Sequence, residues 1–368
     1  MKLLECSRDE LLIPLQTVSG IVERRHTLPI LSNVLLEKTD VGLSLLATDL
    51  EIQICSRSQA PSSAEPLTLT TSARKLQDIL RALPNDAKVS LETTANRLQL
   101  KSARSRFTLQ TLPPEDFPRL AAAAETVDEV SIPQRALRSL LMLVQYSMAQ
   151  QDIRYYLNGL LISLEGKEFR VVATDGHRLA FAKTLLDESH AKQEVVLPRK
   201  AVIELSKLLQ DTDDPIRIAL LGNQVKFVFG DVELVTKIVD GKFPDYGRVI
   251  PTGHQNLITV ERVVLLQALQ RTAILSNDKF RGVRWVLTEN NLRVSCTNTE
   301  QEEAHEELEL QYSGAAIDIG FNVNYLLDVL NALGGTHVRC AFGDASSSVL
   351  MTDPTLDTFK YVIMPMRI

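Results

Sequence analysis

Asp175 and His177, two residues apart in TDGHR (174–178), are the side chains whose types and spacing most invite a chemical reading. A carboxylate beside an imidazole suits general acid–base work, and such a pair can also begin a metal site. Neither reading finds partners in the sequence. No second His or Cys stands at metal-ligand spacing, no GxSxG or Walker A pattern occurs, and DTDDPIRI (211–218) lacks the loop glycine of a calcium site. Cys6, Cys55, Cys296 and Cys340 lie far apart with no CxxC pair, which favours reduced, structural thiols over disulfides or zinc. The expectation is a protein that is not an enzyme, needs no metal or cofactor, and uses His177 as a structural residue beside a turn.

The turn belongs to a repeat. A strand pattern ending in Thr and a polar turn recurs as LSLLATDLE (43–51), FRVVATDGH (169–177) and LRVSCTNTE (292–300), with Thr48, Thr174 and Thr297 spaced by 126 and 123 residues. Each copy is preceded by another apolar run: LPILSNVLLE, YYLNGLLISLE or FRGVRWVLTE. Helical stripes repeat as well. Leu11, Leu12, Leu15 and Val18 share a face in 7–22, Leu137, Leu140, Leu141 and Val144 in 133–148, and Leu265, Leu266, Leu269 and Ala273 in 260–275. Pro14 predicts a kink or break in the first of these. A second helix is expected at 72–83, 197–209 and 322–333.

Alternation then marks half-buried antiparallel strands, as in IRIALLGNQVKFVFG, where Ile216, Ile218 and Leu220 and then Val225, Phe227 and Phe229 face one way. Phe117 and Phe243, in Phe-Pro pairs 126 residues apart, close the first two copies, and AAAAETVDE (121–129) and PTGHQN (251–256) read as linkers. The fold class is therefore α+β, in three similar helix-and-antiparallel-sheet domains expected at 1–125, 126–254 and 255–368. Three such units leave an unpaired sheet edge at each end of the chain, which invites closure by a second copy.

The 368 residues carry 40 basic and 46 acidic side chains, a formal net charge of −6. With 45% hydrophobic and 23% charged residues, packed cores are accessible and wholesale disorder is excluded. No apolar run approaches the ~20 residues of a membrane span, and the first residues, MKLLECSRDELL, lack the pattern of an export signal, so no membrane role and a cytoplasmic location are expected. Mild acidity argues against holding nucleic acid by bulk charge alone. The six helical segments nevertheless carry +6 and the rest of the chain −12, so a helix-lined surface could attract a polyanion weakly and without sequence preference.

Eight segments, in order along the chain, carry a close resemblance to a known family: TLPILSN (27–33), SRFTLQTLPPEDFP (105–118), QDIRYYLNG (151–159), VATDGHRLA (172–180), KFPDYGRV (242–249), ILSNDKFRGVR (274–284), GFNVNYLLDVLNAL (320–333) and VIMPMRI (362–368). The chain resembles the bacterial DNA polymerase III beta subunit, the sliding-clamp family, over essentially its full length. The resemblance implies three clamp-fold domains closed head to tail by a second chain into a homodimeric ring. Such a ring encircles double-stranded DNA without sequence specificity and tethers the replicative polymerase. Retention then comes from closure, which suits a protein of net negative charge. The partners it implies are the polymerase alpha subunit, the clamp loader, other polymerases and repair proteins, bound through short linear motifs.

Carried over residue by residue, the DNA-contacting positions are Arg25, Gln151, Tyr155 and Tyr156, tyrosines being suited to stacking and arginine to phosphate. One side of the dimer seam resembles Lys75, Ile79 and Leu83, with Arg104, Arg106, Phe107 and Leu109 on an edge strand. The other side resembles Ile274, Leu275, Glu302, Glu303 and Glu306. Partner peptides would dock in a hydrophobic pocket between repeats two and three. It would be built from Leu157, Thr174, Gly176, His177, Arg178 and Leu179, from Pro244, Arg248 and Val249, from Tyr325 and Ser348, and from Val362, Met364, Pro365, Met366 and Arg367. Three positions depart from the family pattern: His305 where a glutamate is frequent, Gly247 where a basic residue is common, and Ile368 for a terminal leucine. The competing reading is a monomeric peptide-binding scaffold that never meets DNA. The basic strand opposite an acidic loop argues against it.

Overall fold

A computed structural model describes residues 2–23, 28–39, 42–58, 67–94, 97–121 and 126–367. Repeat one runs β1 (Lys2–Ser7), α1 (Arg8–Ser19), β2 (Asn33–Thr39), β3 (Gly42–Thr48), β4 (Ile52–Ser58), β5 (Leu67–Ser72), α2 (Ala73–Ala82), β6 (Lys88–Thr94), β7 (Arg97–Ser102) and β8 (Ser105–Gln110). Repeat two runs β9 (Asp128–Pro133), α3 (Gln134–Val144), β10 (Gly159–Thr174), β11 (Arg178–Pro198), α4 (Arg199–Leu208), β12 (Pro215–Leu220), β13 (Gln224–Phe229) and β14 (Val232–Lys237). Repeat three runs β15 (Asn256–Glu261), α5 (Arg262–Ala273), β16 (Gly282–Thr288), β17 (Asn291–Thr297), β18 (Glu303–Glu309), β19 (Ile317–Asn322), α6 (Val323–Ala332), β20 (His337–Phe342), β21 (Val349–Asp353) and β22 (Leu356–Ile363). Each repeat thus opens with a strand that the helical stripes did not announce, and β9 and β15 trim the expected linkers at their ends.

The first helix begins on a capping box, Ser7 and Glu10 satisfying each other's backbone N–H groups. Pro14 does not end it. Proline removes the donor that would serve the carbonyl of Glu10, and the Ser58 hydroxyl replaces it at 2.5 Å, so the helix runs on to Ser19. Leu11, Leu12, Leu15 and Val18 are buried as their spacing predicted. In α5 the buried stripe is Leu265, Ala268, Leu269 and Thr272, whereas Leu266 and Ala273 are only half-buried.

Part of the helical positive charge is spent internally. Arg8 donates to the Leu83 carbonyl at 3.0 Å, beyond the end of α2. Its repeat-three counterpart Arg262 donates to the carbonyls of Leu330 (2.8 Å) and Gly335 (2.7 Å) around the end of α6. Arg199 likewise donates to the Met148 carbonyl. The +6 on the helices therefore overstates the charge available to a polyanion.

The described residues form two compact units, 1–135 with 203–238, and 136–202 with 239–368. The first holds a sheet ordered β1-β6-β7-β8 and an eight-stranded sheet ordered β5-β2-β3-β4-β14-β13-β12-β9. The second holds a six-stranded sheet ordered β10-β11-β22-β21-β20-β15 and a sheet ordered β18-β17-β16-β19. Within β10 and β11, residues 159–164 pair with 193–198 and residues 168–174 with 179–185, the counterparts of β2·β5 and β3·β4 in repeat one. Repeats one and two join where β4 pairs with β14, and repeats two and three where β11 pairs with β22.

The recurring threonine has a definite task. The Thr174 hydroxyl donates to the carbonyl of Arg178 at 2.6 Å and accepts from Gly176 N, while Thr48 makes the same two bonds with Ile52 and Leu50. The middle residue of the turn is left-handed, φ 88° at Gly176 and 78° at Leu50, so glycine relieves in repeat two a strain that leucine bears in repeat one. In repeat three the turn is longer and rests on Asn298, whose side-chain oxygen accepts from Glu300 N and Glu302 N.

Candidate functional site

Asp175 is occupied by this turn. One carboxylate oxygen accepts from His177 N and Arg178 N, the other from Arg178 Nε at 3.0 Å, and the exposed His177 ring donates no hydrogen bond to that carboxylate. Among the described residues no cluster of three His, Cys, Asp or Glu could hold a metal, and no helix is long and apolar enough to cross a membrane. Burial pushes the thiols of Cys340 and Cys6 up to about 12, the latter with help from Glu10 and Glu5, as inert core cysteines require.

Around the turn lies an apolar surface. Leu179 on β11 pairs with Val362 on β22, and both belong to a buried cluster with Leu161, Val172, Phe181, Val196 and Phe243. Val239, Tyr246, Ile250 and Leu350 pack on it while still partly open to solvent. Of the sequence-predicted pocket residues, Leu157 and Thr174 are buried. Gly176, His177, Pro244, Arg248, Val249, Met364 and Arg367 are exposed, and Arg178, Tyr325, Ser348, Pro365 and Met366 lie between. Arg248 faces Asp245 at 3.0 Å, beside the exposed Gly247. Two backbone bonds fix the C-terminal tail: Met364 N to the His177 carbonyl (3.0 Å) and Met366 N to the Gly320 carbonyl (2.8 Å). The turn, the end of β22 and the tail are thus one connected surface.

Arg178 anchors its floor. Its guanidinium donates to Asp175, to Asp328 at 2.6 Å and to the Tyr146 carbonyl at 2.6 Å, and lies over the rings of Tyr325 and Tyr146. Burial disfavours its charge, but Tyr361, Asp328 and Asp175 outweigh that and raise its pKa further. Burial also raises the Tyr146 and Tyr361 hydroxyls well above the ordinary tyrosine value. Sequence reasoning missed Tyr146, Asp328, Tyr361, Phe181, Tyr246 and Leu350 at this surface. Phe243, noted only as the mark of a repeat boundary, sits in its core.

The QDIRYY loop projects its side chains. Gln151 is exposed with φ 57°, Tyr155 is 56% exposed, and Tyr156 is half-buried with its ring edge-on to Tyr155 at 6.0 Å. Gly241 passes beneath them at φ 115°, where a Cβ would meet both rings at 3.4–3.5 Å. Arg25 and Ile368 fall outside the described residues.

Two of the sheet edges, β8 and β18, carry part of the predicted seam, and the rest lies on α2 and in neighbouring turns. β8 is an edge, with Arg106 exposed and Phe107 half-buried; Leu109 points into its own core at 7% exposure, and Arg104 occupies the turn before the strand and not the strand itself. On α2 Lys75 is exposed and Ile79 half-buried, with half-buried Leu83 just after. β18 is also an edge, with Glu303 exposed, Glu302 just before it, and Ile274 77% exposed near half-buried Leu275. Glu306 is engaged within its own chain: Arg271 donates to both its oxygens at 2.7 and 2.8 Å, and these hydrogen bonds lower its pKa.

Three copies of one helix-and-sheet unit, joined strand to strand and presenting a partly open apolar cluster beside an exposed tyrosine loop, define the class: a DNA sliding clamp. Family models for the N-terminal, central and C-terminal domains of the DNA polymerase III beta subunit match residues 1–121, 131–245 and 247–367. The beta sliding clamps of Pseudomonas aeruginosa and Escherichia coli K12 are each 46% identical, over 98% of this chain and 98% of theirs. A crystal structure of the P. aeruginosa clamp bound to griselimycin superposes with a TM-score of 0.96 at 44% identity, covering 100% of both chains. The chain belongs to the DNA polymerase III beta subunit family, and its part in DNA replication is that of a non-catalytic clamp.

Proposed function

We propose that two copies close head to tail into a ring around duplex DNA and tether the polymerase alpha subunit, the clamp loader and further replication and repair proteins by short peptides. The carrying observation is the way the chain joins its own repeats. In both internal junctions the strand after the threonine turn, β4 or β11, pairs with the last strand of the next repeat, β14 or β22. The counterparts that remain are β18 and β8, both sheet edges. Pairing β18 of one copy with β8 of the other repeats the internal junction a third time, and its charge pattern is complementary.

The register follows from the same equivalence. Gln53 pairs with Val235 and Leu179 with Val362. Gln53, Leu179 and Glu303 are the residues paired with the recurring threonines, and hairpin pairing makes Thr108 the counterpart of Val235. In the seam Glu303 therefore lies opposite Thr108, which sets His305 opposite Arg106.

Peptide capture at the groove is supported by its open apolar cluster and by the tail segment across it. Domain limits at 1–125, 126–254 and 255–368 and a cytoplasmic location complete the reading. Light scattering is expected to give twice 41.0 kDa. The protein should be retained on nicked circular DNA and run off after linearisation. A monomer at micromolar concentration, or equal retention on both DNA forms, would favour the scaffold reading instead.

A further inference from the structure

Between the tyrosine loop and the groove turn lies a depression of about 310 Å³ whose lining includes Asp152, Asp175, His177, Arg178 and Tyr325. Arg154 bridges its two sides. The loop is closed on itself: Asp152 accepts from Arg154 N (2.8 Å), Nε (3.0 Å) and Nη2 (2.9 Å), and Asp152 and Asn158 bond each other twice, at 2.9 and 2.8 Å. The guanidinium so held reaches the Asp175 carbonyl at 3.4 Å and lies against Gly176, where a Cβ would come within 2.9 Å of Nη2. Glycine adopts φ 88° there without the strain that Leu50 bears in repeat one, and its missing Cβ leaves room for this close approach. Beyond Gly176, the His177 carbonyl holds Met364 of the tail.

A second link runs parallel to the first. Gly241 packs under Tyr155 and Tyr156, and two residues on Phe243 enters the apolar cluster of the groove. The loop thus abuts the groove on both sides, with tyrosines outside and peptide-binding surface beneath.

We infer that Arg154 is a positioning residue that locks the tyrosine loop onto the groove turn, so that DNA on the tyrosines tightens peptide binding in the groove. The inference rests on the proposed reading of loop and groove. Ordering one side reduces the conformational entropy that binding on the other must remove, and the coupling is reciprocal. Lysine cannot replace arginine here, because only a planar guanidinium can hold Asp152 bidentately while lying on Gly176.

The test uses the full-length dimer and a labelled synthetic peptide with one glutamine and apolar anchors. Its Kd is measured by anisotropy with and without a saturating short primed duplex. Wild type is expected to bind about threefold or more tightly with duplex present, in line with typical couplings. Arg154→Ala and Arg154→Lys should bring the ratio to about one while both remain dimers by light scattering. A wild-type ratio of one, or a ratio kept by either variant, overturns the inference while leaving the groove reading intact, because peptide would still bind. Failure of wild type to bind any such peptide would overturn the groove reading itself, and this inference with it.

Discussion

The guanidinium carbon of Arg178 lies 4.3 Å from the ring centroid of Tyr325, while the same group donates to Asp175, Asp328 and the Tyr146 carbonyl. With the Arg178 side chain only 9% exposed, its loss strands two carboxylates that share its charge. Arg178→Ala should therefore destabilise the protein by roughly 2 kcal/mol, below the 3–5 kcal/mol of a fully buried broken pair because Asp328 reaches solvent. Peptide affinity should fall more steeply than stability, because the variant removes the floor beneath Tyr325. Urea titration and peptide anisotropy together check this. A stability change within ~0.5 kcal/mol, the range of ordinary surface substitutions, would show that the carboxylates find other partners.

Met364 and Met366 are held by one backbone hydrogen bond each, to His177 and Gly320, and neither seam strand is involved. Removing Met364–Ile368 should abolish peptide binding and leave the dimer intact. Light scattering on the truncated chain decides the second point: a monomer would place the tail in the seam.

Asp152 is pulled down to about 2 from its ordinary 3.8, first by the side-chain hydrogen bonds of Arg154 and then by the Arg154 backbone N–H. A depressed carboxylate contributes order that is complete above its unfolded value and is lost as pH falls through its folded value. Hydrogen exchange at residues 151–156 should accordingly show no Asp152-linked change between pH 8 and 4. Asp152→Asn should raise exchange there at neutral pH. A wild-type transition centred near pH 4 would mean that the Arg154 bonds do not persist in solution.

Much of this was legible in the residues themselves. Apolar stripes located three of the six α-helices among the described residues and the repeat supplied the other three, and the interval between Thr48, Thr174 and Thr297 exposed the repeat because the turn needs that hydroxyl in two copies. What escaped was what depends on distant partners. Pro14 reads as a helix breaker until Ser58, forty-four residues away, is seen to satisfy Glu10. The Arg178 network joins residues from Tyr146 to Asp328, a span no local pattern encodes. Arg8 and Arg262 looked like free surface charge, yet they cap another helix. The groove residues Phe181 and Leu350 look like any alternating strand, since period two says which face is apolar and not whether that face stays open.

His305 lies on the solvent side of β18 between Glu303 and Glu307, beside Ser295 of β17, with Arg293 of β17 opposite Glu307. Glu306, on the other face, is held by Arg271. In the proposed seam register His305 faces Arg106 of the second copy, between the two flanking glutamates. His305→Glu should therefore tighten the dimer by giving Arg106 a counter-charge, and His305→Lys should loosen it by setting a cation against a cation. The effects are modest at a solvent-facing site, at most a few-fold in dimer Kd. Sedimentation of wild type and both variants at pH 8.0 measures them. If the glutamate variant is weaker than wild type, Arg106 does not face position 305, and the register carried over from the internal junctions is wrong.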